Sequence, residues 1–520
     1  MQGTHVFQPR TETAIDLESF IAENHFLRKV DRVLELSFVR DITTACYAAG
    51  MGRYSIDPEV FFRMLLVAYL YGIKSDRRLC EEVRYNLAYR WFCRLSLADD
   101  IPDHSSLSRI RDRYGEEIFE TVFRRVVALC KGKGLVAQDC HVMTDATLIA
   151  ADASLNSLIH NDPEIAEQEA ADQHRHRGLR DSSSARRVTN QTHTSRTDPD
   201  ATLAQKEGTP RQLKYKVHQS VDADSRVILD TEVTTGARHD NQPYLDQLQR
   251  IRTRYQINIR EATADRGYGS AAIIRTLQQQ GITTYIPLWS GRVGNSKYLK
   301  GELVYDRKRD RFRCPRGKYL TPNPSTSGNC KRYVSSSADC RHCPRRSTCH
   351  TEANKKLQYK RYVRRSLDQD LFEEVQARME EPEFGRKLSE RMWKAEGLFA
   401  EAKQNHGLTR ARYRGQSKVQ IQAYLIAMAQ NLKRLVFLFY CGLVIRWWYR
   451  RRAAAPPPSR SFSSRTFSTG PTPFSAMLFG CQQRVAPSNL RPRGPHSGEI
   501  GRQSGRSNQG FLTNGGNPLY

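Results

Sequence analysis

At 520 residues the chain is long enough for two or three domains, each able to bury a core without disulfide staples. Its 82 Lys+Arg against 55 Asp+Glu leave a net charge of +27, which favours a polyanionic partner, nucleic acid first, over most other roles. The 12 cysteines do not form an extracellular framework, because Cys46, Cys80 and Cys130 sit singly inside apolar helical stretches and no signal peptide precedes them, so a reducing cytosol is the expected home.

Residues 1–133 read as an all-α N-terminal domain for DNA binding or assembly, with apolar positions three and four apart, as in Phe61, Met64, Leu65, Ala68 and Tyr69. Within it Pro102-Asp-His-Ser-Ser-Leu feeds a helix capped by Ser105 or Ser106 and carrying Arg109, Arg111 and Arg113. That helix fits entry into DNA and an ordinary place in a bundle equally well. From 134 to 290 the period changes. Cys140–Asp145 is a strand, Leu213–Val221 and Arg226–Thr234 form a hairpin about Asp222-Ala-Asp-Ser225, and a helix near Gln242–Arg252 follows. A strand ending at Asp265, a helix near Ala271–Gln279 and a strand over Thr283–Pro287 complete a β-β-β-α-β-α-β order, hence a mixed α/β core. Asn161–Thr209 is polar and lacks apolar periodicity, so the expectation there is a flexible insertion.

Residues 291–362 form a basic insert with five cysteines, and 363–445 supply the closing helices of the core. Over Gln416–Tyr440, Ile421, Leu425, Met428, Leu432 and Leu435 make one apolar stripe. The apolar run Leu435–Ile445 is too short to cross a bilayer and reads as a buried helix end, with an interfacial anchor as its rival because Trp447, Trp448 and arginines follow. Residues 446–520 read as a disordered basic tail.

Metal-dependent phosphodiester chemistry needs carboxylates converging from several elements, because hard divalent ions prefer oxygen ligands. Asp145 ends the first strand, and Asp265 ends a later one before Gly267 and Gly269, which let the backbone turn away and leave the carboxylate open. A third acid from a packed helix is Glu396, which shares a face with Phe399 and Lys403, whereas Glu401 points elsewhere. Asp152, Asp198, Asp230 and Asp240 are the rival acids.

Asp145, Asp265 and Glu396, in this order, resemble the acidic triad of bacterial insertion-sequence transposases of the DDE superfamily. The resemblance runs roughly from Leu27 to Leu438 and includes Ser195-Arg-Thr-Asp-Pro-Asp-Ala, Tyr215-Lys-Val-His218, Thr263-Ala-Asp-Arg-Gly-Tyr, the pair Glu396 and Lys403, and Arg412-Tyr-Arg-Gly415. It implies an RNase H-like core and two Mg2+ (or Mn2+) ions, with Asp145 bridging both while Asp265 and Glu396 hold one each. It also implies cleavage and strand transfer on double-stranded DNA, both element ends and target, by a homo-oligomer in a bacterial cytoplasm near the nucleoid, with no membrane role. Lys403, Arg391, Arg412 and Arg414 are the expected DNA contacts. Many relatives carry the arginine four positions before the glutamate; here that position is Met392 and the arginine is Arg391. Either the spacing has slipped by one residue or the arginine's role is lost.

In the insert, Cys314, Cys340, Cys343 and Cys349 offer four thiolates for a structural, ribbon-like Zn2+ site, with Cys330 and His350 as substitutes. Nearby Arg341, Arg345 and Arg346 suit phosphate. The competing functional readings are a non-catalytic DNA-binding regulator or inactive relic, and a structure-specific nuclease without strand transfer.

Overall fold

A computed structural model of the chain describes residues 14–48, 54–167, 188–288, 303–327, 329–345, 349 and 360–453. The N-terminal part is helical, as its periodicity predicts: α1 (Phe26–Val33), α2 (Pro58–Leu70), α3 (Asp76–Tyr85) and α4 (His104–Gly132) are its main members. Pro58 stands in the first turn of α2 and the Asp57 carboxylate caps it, accepting from the Glu59 amide at 2.8 Å. Every residue from Phe61 to Leu70 is buried, so α2 is enclosed on all sides and forms the centre of this domain.

Helix α4 is capped by Asp103, which accepts from the Ser105 amide at 2.8 Å, and not by Ser105 or Ser106 as the sequence suggests. A carboxylate one position before the first helical residue is the stronger acceptor for those amides. Arg109 and Arg113 face solvent, but Arg111 is buried, paired with Asp76 at 2.7 Å and stacked 4.2 Å from the Tyr413 ring. It fastens this domain to the chain's later helices.

The central sheet is built from β1 (Asp139–Ala150), β2 (Gln212–Asp222), β3 (Ile228–Thr235), β4 (Asn258–Thr263) and β5 (Thr283–Tyr285), in the order β3-β2-β1-β4-β5. The first three strands are mutually antiparallel; β4 runs parallel to β1 and β5 parallel to β4. Helices α5 (Tyr244–Tyr255) and α6 (Ala271–Gln279) make the crossovers. The predicted element order is therefore present.

The expected flexible stretch Asn161–Thr209 differs in its second half. His193–Ser195 pairs with Leu158–His160, Thr202–Ala204 pairs with β2, and Asp198 is buried where it accepts from the Tyr215 hydroxyl at 2.6 Å. Polar residues here are satisfied by side-chain pairing, a possibility that the absence of apolar periodicity does not reveal. Residues 168–187 of that stretch lie outside the described residues.

Three helices close the core: α7 (Pro382–Arg391), α8 (Gly397–Asn405) and α9 (Gln416–Ala453). Helix α9 covers the open edge of β3 with amide side chains. Asn431 accepts from the Ile228 amide at 2.8 Å and donates to its carbonyl at 2.9 Å, and Gln420 accepts from the Val233 amide at 2.5 Å and donates to the Thr231 carbonyl at 2.9 Å. An edge strand that would otherwise expose its pairing groups is thereby blocked. The helix also continues through 446–453, which the sequence assigned to the disordered tail; the rest of that tail lies outside the described residues. Among the described residues no helix is long and apolar enough to cross a membrane.

The cysteine-rich insert forms its own antiparallel sheet: β6 (Val304–Asp306), β7 (Arg311–Arg313), β8 (Tyr319–Ser327), β9 (Cys330–Ser335) and β10 (Tyr362–Ser366). The fifth strand passes the boundary at 362 expected for this insert. Its core is small, with Phe312, Leu320, Tyr333 and Val363 buried.

Candidate active site

Asp145 lies in the middle of β1, directly opposite Gln219 of β2, between Val142 and Met143, which are buried, and Thr147 on its own strand face. Its Oδ1 accepts from the Ala146 amide at 2.9 Å, and its side chain is 13% exposed. Burial pushes this carboxyl up to about 7; the charges of Asp265 and Glu396 add to the effect and Arg391 opposes it. The three acids named from sequence thus lie within electrostatic reach of one another.

Asp265 follows β4, the parallel neighbour of β1. Its Oδ1 accepts from the Gly267 amide at 2.7 Å and starts the short turn Arg266–Tyr268. Gly269 has a steric reason: a Cβ there would sit 2.7 Å from the Pro287 carbonyl oxygen.

Glu396 ends a π-helical turn, Met392–Glu396, inserted between α7 and α8. A π turn brings position i−5 onto the face that i−4 occupies in an α-helix. Arg391 accordingly reaches Glu396, with Nη2 2.8 Å from Oε1, while its Nη1 lies 3.3 Å from Asp145 Oδ1. One guanidinium therefore bridges two of the three acids, and among the described residues no three acidic, cysteine or histidine side chains come within metal-holding distance of one another.

Lys403 is on α8, two turns beyond Glu396, with Nζ 2.6 Å from Thr147 Oγ1. Burial and the charge of Lys206 pull its pKa down, against Asp145. Phe399 on the same face is buried, and Glu401 points away to Arg434 at 2.9 Å and His406 at 3.5 Å. The rival acids Asp152, Asp230 and Asp240 are ion-paired, and of them Asp240 stands close to Asp265, since a Cβ at Gly267 would lie 3.0 Å from Asp265 Oδ1 and 4.0 Å from Asp240 Oδ2. Asp152 pairs with Arg410 at 2.8 Å and Arg414 at 3.2 Å, Asp230 with Arg250 at 2.7 Å, and Asp240 with Lys216 at 2.5 Å.

The remaining expected DNA contacts are not brought to the acids. Arg414 is engaged by Asp152, and the Arg412 guanidinium lies 4.2 Å from the Tyr69 ring in the N-terminal domain. Both arginines hold the turn before α9 against other parts of the fold.

Two residues at the site had no assigned part in the sequence reading. The Tyr268 hydroxyl is buried and without a hydrogen-bond partner among the described residues; burial raises its pKa well above the ordinary value, and the charges of Asp240, Asp145 and Asp265 add. The Gln219 amide, opposite Asp145, has neither of its atoms hydrogen-bonded. Tyr268 was visible in the Asp-Arg-Gly-Tyr string. Gln219 could be found only from the β1–β2 register.

In the insert, Cys314, Cys340 and Cys343 all act electrostatically on Cys349, whose thiol is raised mainly by burial. The Cys314 carbonyl accepts from the Gly317 amide at 2.8 Å in a tight turn, and the Cys340 thiol lies 3.1 Å from Ser335 Oγ. The cysteines among the described residues form no disulfide. His350 lies outside the described residues.

Two family models match the chain: a transposase domain over residues 15–113, and a transposase DDE domain over residues 313–436, a span holding the insert cysteines, Glu396 and Lys403. No curated protein matches it. Among solved structures, a piggyBac transposase synaptic complex with hairpin DNA is 10% identical over 91% of this chain and 88% of that one, with a TM-score of 0.30. A pre-cleavage Mos1 transpososome is 11% identical over 47% of this chain and 64% of that one, with a TM-score of 0.14. Likenesses this faint assign no residue.

Proposed function

We propose, from its matches to a transposase domain and a transposase DDE domain, that the chain is a DDE-superfamily transposase that cuts element ends and joins them to target DNA by divalent-metal phosphoryl transfer. The carrying observation is that Asp145, Asp265 and Glu396, from a strand, a strand end and a helix, lie within electrostatic reach of one another, with Arg391 bridging two of them. The strand order, three antiparallel strands followed by two parallel ones, supports an RNase H-like reading of the core.

The acids fit hard cations. They are oxygen donors, burial raises Asp145 with Asp265 and Glu396 adding to the effect, and a cation from the chain's own Arg391 already bridges two of them. Asp145, Asp265 and Glu396 would hold the ions, with Asp145 shared. Two bound Mg2+ or Mn2+ ions would offset charge on the scissile phosphate and make water, then a DNA 3′-hydroxyl, a better nucleophile. Lys403, beside Thr147, is set to hold a neighbouring phosphate oxygen, and Arg391, once released from the acids, can take another. The deep position of Asp145 keeps bulk water from that carboxylate.

The test is cleavage of labelled DNA carrying the flanking element ends, with Mg2+ or Mn2+, by wild type and Glu396→Gln. Metal-dependent nicking at the ends that disappears in the variant is expected. Tight binding without cleavage in the wild type would turn the reading to a DNA-binding regulator or relic.

We propose a second site in the insert, where Cys314, Cys340, Cys343 and Cys349 would hold one structural Zn2+; the other three thiols lie within electrostatic reach of Cys349, which supports it.

A further inference from the structure

The insert sheet has two faces of different character. On the inner face its cations are paired within the chain: Lys331 with Asp310, and Arg365 with Asp370 at 2.5 Å. On the outer face Arg313, Arg332 and Arg364 have no acidic partner among the described residues. Strand alternation assigns the faces, since Phe312, Tyr333 and Val363, which flank these arginines in sequence, are the buried ones. Arg332 and Arg364 stand directly opposite each other on β9 and β10. Like charges so placed destabilise a sheet, a cost that a polyanion lying on this face would remove.

Two tyrosines complete the surface. Arg311 lies 3.6 Å from the centre of the Tyr319 ring, and Arg332 lies 5.8 Å from that of Tyr362. Stacking of this kind restrains guanidinium groups in orientation before a partner arrives. It also decides the kind of nucleic acid. Both rings are already engaged by the chain's own arginines, so they are not vacant platforms for unstacked bases, and the free capacity of the face is charge.

We infer that the outer face of the insert sheet is a docking surface for the phosphate backbone of duplex DNA, read without base contacts through Arg313, Arg332 and Arg364. It extends the transposase reading, on which it rests, by giving the insert a part in substrate binding separate from Lys403 and the three acids.

The experiment is the salt dependence of full-length protein binding to a labelled duplex carrying an element end, comparing wild type with the triple variant R313Q/R332Q/R364Q. Three lost phosphate contacts should lower the slope of log Kd against log salt by about 2.7. Hydrogen-exchange protection of residues 303–366 should match in the two proteins. An unchanged slope with a protected insert would overturn the surface. Preference for single-stranded DNA, lost in Tyr319→Leu, would replace it by base stacking. A wild type that binds no duplex removes the transposase reading itself, and this surface with it.

Discussion

The central sheet and the insert sheet are both β structures, yet they are held by different means. The central sheet belongs to a continuous core that reaches from Leu27 in the N-terminal helices to Val436 in α9, and its open edge is covered by Gln420 and Asn431. Among its described residues the insert has four buried apolar side chains and a group of thiols. A core of that size does not balance the conformational entropy of some 60 residues, so a covalent or metal staple is expected there and is not needed in the centre. On the proposed reading, losing a metal ligand would unfold the insert, whereas losing an acid would leave the central sheet folded.

That contrast can be broken in several ways. Asp145→Asn should abolish Mg2+-dependent end cleavage, by about a thousandfold or more, while DNA binding and the unfolding midpoint hold. Retained cleavage would remove Asp145 from the chemistry, and lost binding would show that the acid serves the fold. Purified protein should carry about one zinc ion, and its removal, or Cys340→Ser with Cys343→Ser, should strip exchange protection from residues 303–366 while β1 to β4 stay protected. Metal analysis finding none would refute this, and simultaneous loss in both sheets would end the distinction.

Smaller effects sharpen it. Asn431→Leu leaves the amide and carbonyl of Ile228 without partners, which should cost about 2–3 kcal/mol in urea unfolding with no change in the insert; a neutral result would mean that water replaces the side chain. His218 is buried, donating or accepting through Nε2 at 3.0 Å from Thr234 Oγ1, and burial pushes its pKa down to about 3. The unfolded chain takes up this proton below about 6.5 whereas the fold excludes it, so this contribution is full above that pH and is lost as pH falls toward 3. Between pH 6.5 and 5 the loss should be about 2 kcal/mol, and His218→Asn should flatten that slope. Equal slopes in variant and wild type would assign the acid sensitivity to other groups.

Much of the site was legible in the sequence because its signals are local. Asp265 is followed by the glycines that its turn requires, and Glu396, Phe399 and Lys403 fall on one face by helical geometry alone. Asp152 could be set aside only partly, since what finally removes it is its pairing with Arg410 and Arg414, two residues far along the chain. Arg412 could not be placed from sequence for a related reason: its guanidinium lies 4.2 Å from the ring of Tyr69, a residue far along the chain. Ser105 and Ser106 lost the cap to Asp103 because a choice among adjacent acceptors depends on where the helix starts, and helix starts are poorly specified by pattern.

The sequence by itself determined the order of strands and helices and the helical N-terminal part, because periodicity, turn residues and helical spacing are properties of neighbouring residues. Only the tertiary structure decided that β3 is an edge sealed by α9, that Gln219 stands opposite Asp145, and that a π turn before Glu396 turns Arg391 toward Glu396 and Asp145. Those outcomes depend on pairing register and on charges brought together from distant segments, whose energies appear only when the chain is folded.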